Sequence, residues 1–327
     1  MAARGIAEPT VEATTALGIG IAPEDRRARG RIDLLLVVAI AAVWLLWGST
    51  FAGMRAAVQT MPPFAMAAAR FLIAGALLFA LAALRGKARV TRADLVRALV
   101  TGATLLLLGN GMTAWTVQYL PSGINSLLLS CSPIWMAIVA YLWGGEKPSR
   151  LAVVGMVLGL AGLALLVGPQ SRNAIAFWPA IVAVLASISW SFGSIFQRRI
   201  GGTDSVVLAT ALQMLVGGTL LAIEAALTGE WGAVHVRAIS ATSWVGFAWL
   251  VVFGSIAGYS AYLYTMRAAS TMLASTYAYV NPIVSLALGY ALFGETLNAR
   301  EGLASAVIVA GVALMMMPAG RERAQAG

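Results

Sequence analysis

The sequence predicts an all-α integral membrane protein with ten transmembrane helices, built as two five-helix repeats of opposite orientation. Three observations predict this fold: the composition, the spacing of apolar stretches and an internal repeat. Of 327 residues, 60% are hydrophobic and only 11% are charged, and the mean hydropathy is +0.85. A water-soluble core of this size cannot bury so much apolar surface. We therefore expect a lipid bilayer around the chain.

Apolar stretches of about 20 residues, the length that spans a bilayer, recur along most of the chain. They predict helices at residues 33–55, 62–84, 94–117, 121–143, 150–168, 176–197, 204–227, 243–265, 270–293 and 299–317. Residues 1–31 are polar and end in several arginines, and we expect them to form a disordered cytoplasmic tail. Residues 319–327 are expected to form a second cytoplasmic tail.

The basic residues predict the orientation. Seventeen of the 22 lysines and arginines lie in segments on the same side as the N-terminus, and four lie on the other side. The positive-inside rule then places both termini in the cytoplasm. The net charge of +9 is explained by these helix ends. Because no stripe of aromatic and basic residues accompanies it, we expect no nucleic-acid partner.

An internal repeat relates residues 32–169 to residues 176–318. An offset of 143 aligns the first two helices of each repeat, and an offset of 149 aligns the rest. The aligned pairs include Trp47 with Trp190, Arg70 with Gln213, Pro133 with Pro282, and Glu146 with Glu295. Five helices is an odd number, so the second repeat enters the membrane from the opposite side. Such inverted repeats are a transporter architecture, with the substrate site near mid-bilayer at the repeat interface.

Four motifs carry a family resemblance. They are Trp47-Gly-Ser-Thr-Phe51, Arg70-Phe71, the Pro-Ser-Gly entry at Pro121 with Ser132-Pro133 inside the helix, and Gly-Gly-Glu ending at Glu146. With them, residues 32–318 resemble the EamA-type branch of the drug/metabolite transporter superfamily. The resemblance implies an exporter of amino acids or related metabolites in a bacterial inner membrane. The YddG type of amino-acid exporter fits, although no motif separates that type from its relatives.

Polar, aromatic and helix-breaking residues inside apolar stretches are the candidate site. Pro133 and Pro282 each remove one helix hydrogen bond, and exposed polar groups in hydrocarbon need a partner or a cavity. These residues either form packed helix kinks or line a substrate cavity, where an aromatic face can hold an ammonium group. The predicted substrate-binding set is Trp44, Trp47, Trp115, Asn125, Ser132, Trp190, Tyr259, Tyr262 and Asn281. Helices one, three, four, six, eight and nine are expected to surround the cavity, with five and ten outside.

Arg70 is the charge that lies well inside a predicted helix. Two roles are open for it. It binds the carboxylate of a substrate, or it is structural, either paired with Glu295 or extended toward the membrane surface.

No enzyme motif, cofactor or metal site is predicted. The chain has one Cys and one His, which are too few for a Cys/His metal cluster, and it has no P-loop pattern.

Because no acidic residue falls near the middle of a predicted helix, we expect uncoupled transport by alternating access. The alternatives are proton coupling through Glu146 or Glu295, transport of drugs or nucleotide-sugars, and a non-transporting membrane scaffold. We expect a monomer, with a dimer also open, and packing within the chain explains the small-residue face formed by Gly155 and Gly159.

Overall fold

The computed structural model describes residues 34–143, 145, 148–167, 177–200, 205–269, 274, 276–296 and 298–315. The predicted tails at 1–31 and 319–327, and Glu146, lie outside the described residues. All contacts given below lie within the compact unit Leu35–Gly327.

Ten long helices occupy the described part of the chain, close to the predicted ranges. They are α1 Leu34–Ala57, α2 Pro63–Leu84, α3 Arg92–Thr116, α4 Ser122–Leu142, α5 Arg150–Val167, α6 Phe177–Arg199, α7 Val206–Leu227, α8 Ala241–Ala268, α9 Tyr277–Phe293 and α10 Ala299–Met315. Seven of them are long and apolar enough to cross a membrane, and α5 and α9 contain shorter apolar helices. The predicted helix at 270–293 is described as a helix from Tyr277 onward.

Short connections make successive helices alternate in direction. We call the end of the bundle where α1 begins the terminal face, and the end where α1 finishes the distal face. Contacts between loops agree with this alternation. At the distal face Arg55 donates to the carbonyl of Val117 at 2.8 Å, and at the terminal face Arg199 donates to the carbonyl of Trp143 at 2.6 Å.

The inverted repeat is visible in how equivalent helices pack. Helices α2 and α7 pack against each other, as do α5 and α10. Gly75 and Gly218 are equivalent at the offset of 143, and so are Leu72 and Leu215. A Cβ on Gly75 would lie 2.9 Å from the Leu215 nitrogen, and one on Gly218 would lie 3.0 Å from the Leu72 nitrogen. Each contact is the repeat-equivalent of the other, so a pseudo-two-fold axis relates the halves.

Small residues join α5 to α10. A Cβ on Gly311 would lie 2.5 Å from the Gly159 nitrogen and 2.7 Å from the Gly155 oxygen. The small-residue face of α5 is therefore covered within the chain. Monomeric assembly stays a prediction.

The change of offset between the repeats has a structural basis. The α2–α3 connection covers residues 85–91, and the α7–α8 connection covers residues 228–240. The longer connection contains a short helix, Glu230–Ala233, followed by a 3₁₀ turn, Val236–Ala238. Glu230 accepts a hydrogen bond from the Ala65 backbone nitrogen at 2.9 Å. The inserted residues thus cap the free N–H groups at the start of α2.

Helices α3 and α8 widen into π-helix at positions that correspond to within one residue at the offset of 149. The π-helical segments are Gly102–Gly111 in α3 and Leu250–Tyr259 in α8, and a shorter one covers Val43–Trp47 in α1. Runs of i→i+5 hydrogen bonds are rare and often accompany functional sites. Helix α4 is interrupted at Ser130 and Cys131, just before Pro133, as the predicted loss of a hydrogen bond there implies.

Candidate functional site

Two repeat-equivalent tryptophans mark the centre of the molecule. The ring centroids of Trp47 in α1 and Trp190 in α6 lie 5.4 Å apart with the planes at 80°. Both side chains are buried. Equivalent residues that touch must lie at the pseudo-two-fold axis, so the axis passes between these rings.

A central cavity of about 60 Å³ lies against the tryptophan pair, mostly on its distal side. This volume exceeds the roughly 10–15 Å³ that a cavity needs to hold one water. Residues of α1, α2, α3, α4, α6 and α9 line it: Trp47, Thr50, Phe51, Met54, Arg70, Gly109, Asn110, Thr113, Ser126, Leu129, Ser130, Ser132, Trp190, Tyr277, Ala278, Asn281 and Pro282.

Arg70 is the charged residue in this cavity lining, and its side chain is 1% exposed. Its Nε donates to Ser255 Oγ at 2.7 Å and its Nη1 donates to Asn110 Oδ1 at 3.2 Å. Both partners belong to the π-helical segments of α3 and α8. The guanidinium carbon lies 4.6 Å from the centre of the Phe71 ring. Among the described residues, no carboxylate forms an ion pair with Arg70.

The structural roles that the sequence allows for Arg70 are not the ones found. Glu295 lies at the distal end of α9, where its carboxylate accepts hydrogen bonds from Ser122 N at 2.9 Å, Ser122 Oγ at 2.7 Å and Gly123 N at 3.3 Å. It therefore caps the start of α4 instead of pairing with Arg70. Because Arg70 is buried, it does not extend to the membrane surface either. Within the described ranges, its hydrogen-bond partners are neutral groups.

Gly254 makes room for the guanidinium. A Cβ at Gly254 would lie 2.9 Å from Arg70 Nη2 and 2.9 Å from Thr50 Cγ2. The Gly254 carbonyl also accepts a hydrogen bond from Trp47 Nε1 at 3.2 Å. The same residue therefore positions both Arg70 and Trp47.

Ser132 and Asn281, which are repeat-equivalent, both lie in the cavity lining. Ser132 Oγ lies 3.0 Å from Ser187 Oγ and donates to the Leu129 carbonyl at 2.6 Å. The latter carbonyl is the one that Pro133 frees. With its amide oriented to suit its neighbours, Asn281 Nδ2 donates to the carbonyls of Tyr277 at 3.2 Å and Trp44 at 3.0 Å. Ser126 Oγ, also in the lining, is buried without a hydrogen-bond partner in the part of the chain that the structure describes.

Three buried tyrosines, Tyr259, Tyr262 and Tyr277, pack around Trp47 with ring centroids 5.2, 4.6 and 5.5 Å away. Tyr262 Oη lies 2.8 Å from Ser194 Oγ, and Trp190 Nε1 donates to Tyr277 Oη at 3.0 Å. We call these tyrosines with the tryptophan pair the aromatic layer. It separates the central cavity from the terminal face.

The position of the cavity follows from a difference between the repeats. At the offset of 149, Tyr259, Tyr262 and Tyr277 correspond to the smaller residues Asn110, Thr113 and Leu128. The tyrosines fill the space on one side of the tryptophan pair. The smaller side chains leave space on the other side, and that space is the cavity.

Several of the predicted site residues lie outside the cavity lining. Trp44 donates from Nε1 to Thr276 Oγ1 at 3.0 Å. Trp115 packs on Tyr119 near the distal end of α3, with centroids 4.8 Å apart. Asn125 is fully buried, and its Nδ2 donates to the Thr113 carbonyl at 3.2 Å. Pro133, Tyr259 and Tyr262 are also outside the lining, whereas Trp47, Ser132, Trp190, Asn281, Pro282 and Arg70 belong to it.

The set of helices around the cavity also differs from the prediction. Helix α2 contributes Arg70, whereas the described residues of α8 contribute no lining because the tyrosines of this helix fill the space on its inner face. Helices α5 and α10 lie outside the lining, as expected. Among residues with a described position, no group of three His, Cys, Asp or Glu residues could hold a metal ion.

Sequence reasoning missed several lining residues that carry a readable signal. Thr50, Phe51 and Met54 follow Trp47 by three, four and seven residues, which is the spacing of one helix face. Asn110 is a polar residue between four leucines and a further apolar stretch. Such a group in a membrane helix calls for a partner, and here the partner is Arg70.

Ten helices in two inverted repeats, with a cavity beside the axis that contains the buried Arg70, define a membrane transporter. Comparison with known proteins agrees. The model of the EamA-like transporter family matches residues 34–168 and 177–317, and the chain belongs to this family, as the resemblance read from the sequence indicated.

Similar proteins include the inner membrane transporter YedA of Escherichia coli K12, which is 40% identical over 294 residues, covering 88% of this chain and 93% of that protein. The transporter YvbV of Bacillus subtilis is 25% identical over 289 residues, with 88% and 93% covered. A solved crystal structure, 20% identical, superposes with a TM-score of 0.64 and covers 88% of this chain and 98% of its own. That last likeness concerns the fold alone.

Proposed function

We propose that the protein exports zwitterionic amino acids or closely related small metabolites across the bacterial inner membrane by uncoupled alternating access. The observation that carries this proposal is Arg70. A buried charge is costly unless it is paired, yet among the described residues Arg70 has only neutral hydrogen-bond partners. A carboxylate in the cavity would supply the missing counter-charge.

The remaining donors of Arg70 suit a carboxylate. A guanidinium has five N–H donors in a planar fork, and two of its three nitrogens already donate to Ser255 and Asn110. The N–H groups left over can form a bidentate pair with a carboxylate, the stronger kind of charge-assisted bond. The face of Trp47 or Trp190 can hold an ammonium group, and Phe51 offers apolar contact to a side chain. A zwitterion matches this set.

The positions of acidic residues favour uncoupled transport. The described residues that line the cavity include no acidic one. Glu295 caps α4, and Asp94 caps α3 by accepting from the Thr91 nitrogen at 3.0 Å. Proton coupling through Glu295 would require protonation of this carboxylate, which removes its charge and weakens the cap. Glu146, the other candidate, lies outside the described residues.

The orientation follows from the charge asymmetry of the sequence, which places the terminal face in the cytoplasm. The aromatic layer would then be the barrier on the cytoplasmic side. For a solute to enter the central cavity from the cytoplasm, this barrier must open while the distal side closes. The interruption of α4 at Ser130 and Cys131 and the Pro282 position in α9 are the places where helices can bend.

Counterflow in liposomes tests the proposal. Purified protein is reconstituted with an unlabelled amino acid inside, and uptake of each labelled amino acid is followed at equal pH on both sides. We expect saturable exchange of at least one neutral amino acid, and none in protein-free liposomes. Exchange of nucleotide-sugars or drugs alone would refute the substrate class. No exchange at all would favour the scaffold. Accumulation driven by an imposed pH gradient would refute the uncoupled mechanism.

A further inference from the structure

A second cavity, of about 370 Å³, opens at the terminal face between α3, α6, α7 and α8. The aromatic layer separates it from the central cavity. We call it the terminal vestibule. On α6, Trp190 lines the central cavity and Phe196 lines the vestibule, and their positions are six residues apart. At 1.5 Å per residue, the linings of the two cavities come within roughly 9 Å of each other along this helix.

The vestibule is basic. Arg97, Arg198 and Arg267 belong to its lining, and Asp94 is the acidic residue among the described residues there. Arg97 and Asp94 form an ion pair at 3.3 Å. Arg198, whose Nη1 donates to the Ala269 carbonyl at 3.4 Å, forms no ion pair with a described carboxylate, and its charge attracts anions entering from this side.

Two amides in the vestibule lining have buried polar atoms that find no hydrogen-bond partner within the described residues. Gln213 is 3% exposed and its Nε2 has no such partner, and Gln197 Oε1 is likewise buried and unpartnered. Buried polar atoms are almost always hydrogen-bonded, so such exceptions call for an explanation. An N–H donor in a basic cavity matches an anionic acceptor, and a carbonyl acceptor matches an ammonium group.

Repeat symmetry connects these amides to the central cavity. At the offset of 143, Gln213 corresponds to Arg70 and Gln197 corresponds to Met54, and both of those residues line the central cavity. The vestibule is thus the counterpart of the central cavity on the opposite side of the aromatic layer. At the key position it carries a neutral donor in place of a cation.

We propose that the terminal vestibule is a second binding site, which takes the carboxylate of the transported solute before the aromatic layer opens. This proposal rests on the proposed function. Gln213 donates to the carboxylate, and the positive charge of Arg198 attracts it. A neutral amide holds a carboxylate more weakly than a guanidinium does, so the solute can leave Gln213 for Arg70.

A phosphate of an anionic lipid has the same chemistry. The solute is favoured because Gln213 is buried inside the bundle, at the position that the repeat relates to Arg70. The experiment separates these two sources.

Thiol reactivity tests the site without knowledge of the substrate. In a Cys131→Ser background, Gln213→Cys is treated with an anionic methanethiosulfonate reagent and with a cationic one, and each rate is divided by that of a free thiol in solution. We expect the anionic reagent to be favoured about tenfold, given the positive charge of Arg198 close by, and Arg198→Gln to lower this preference about threefold. Gln197→Cys provides a second position if Gln213→Cys does not fold.

Protection identifies the occupant. A saturating amino acid, chosen as the best counterflow substrate, should slow the reaction of Gln213→Cys in phosphatidylcholine liposomes. Equal rates for the two reagents, or no reaction at either position, would overturn the proposal. The proposal would also be overturned if phosphatidylglycerol slowed the reaction of Gln213→Cys and the amino acid did not. Counterflow by the Cys131→Ser protein is measured separately. If this protein shows no amino-acid counterflow while Gln213→Cys still prefers the anionic reagent, the proposed function is refuted and the vestibule is an anion site only.

Discussion

Replacing Arg70 by glutamine separates a substrate-binding role from a structural one. The substitution introduces the residue found at the equivalent position of the other repeat, Gln213, and removes the charge while keeping a hydrogen-bond donor. In the folded variant, the introduced amide can still donate to Ser255 or Asn110, whose present distances to Arg70 are 2.7 and 3.2 Å. Loss of one of these bonds is offset by the removal of a buried charge without a counter-ion. We expect the free energy of unfolding to change by no more than about 1 kcal/mol.

Transport should change far more. A hydrogen bond to a charged group contributes about 1.5–3 kcal/mol, and every 1.4 kcal/mol is tenfold in affinity. The half-saturation concentration for counterflow should therefore rise about 10- to 150-fold in Arg70→Gln. Arg70→Lys keeps the charge but loses the planar fork, so we expect an intermediate rise.

Arg55→Gln is the matched control. Arg55 is also in the first repeat and donates to the Val117 and Gln118 carbonyls at 2.8 and 3.3 Å, but it does not line the cavity. It should lower the melting temperature in detergent and leave half-saturation unchanged. If Arg70→Gln and Arg55→Gln behave alike, or if Arg70→Gln unfolds with unchanged half-saturation in the folded fraction, Arg70 is structural.

Three further predictions concern packing, coupling and orientation. Gly254→Ala places a methyl group against the buried guanidinium. It should reduce counterflow at least tenfold and lower the free energy of unfolding by about 1–3 kcal/mol. Gly302→Ala, whose added Cβ would meet open space, should change neither the melting temperature nor counterflow. Glu295→Gln weakens the cap of α4 and should lower stability by about 0.5–2 kcal/mol, while flux should stay insensitive to a pH gradient; loss of a proton-driven accumulation in this variant would show coupling instead. Ala88→Cys on a Cys131→Ser background should resist impermeant thiol reagents in intact cells, and labelling from outside would invert the orientation.

Much of the fold is predictable because the bilayer imposes a helix length, and because the repeat aligns each helix of one half with a helix of the other. The offsets of 143 and 149 placed the insertion between α7 and α8, where the structure has a short helix and a 3₁₀ turn. They also aligned Trp47 with Trp190, the pair that meets at the axis. Comparison of the repeats predicts contacts at the axis, since equivalent residues must approach each other there.

The candidate site was less predictable because composition does not give the direction in which a side chain points. Trp44 lies three residues before Trp47, and in an α-helix the two would share a face. The π-helical turn Val43–Trp47 changes this relation, and only Trp47 lines the cavity. Arg70 was visible as a buried charge, but its partners Ser255 and Asn110 depend on how π-helical segments of two other helices turn.

The side of the axis on which the cavity lies could have been read from the sequence. Comparing Asn110 with Tyr259 and Thr113 with Tyr262 shows that one repeat carries bulky residues where the other carries small ones. The space therefore remains beside the smaller residues. This comparison needs the repeat alignment together with side-chain volume, and neither alone is sufficient.

Competition by carboxylate-free analogues tests the central claim, that Arg70 binds the carboxylate of the solute. An amino acid that supports counterflow is compared with its own amide, which keeps the ammonium group and the side chain, as an inhibitor of wild type and Arg70→Gln. We predict that the amide inhibits wild type about 10- to 150-fold more weakly than the acid, from the strength of a hydrogen bond to a charged group, and that the two inhibit Arg70→Gln about equally. Equal inhibition of wild type, or an undiminished preference for the acid in Arg70→Gln, would contradict the claim.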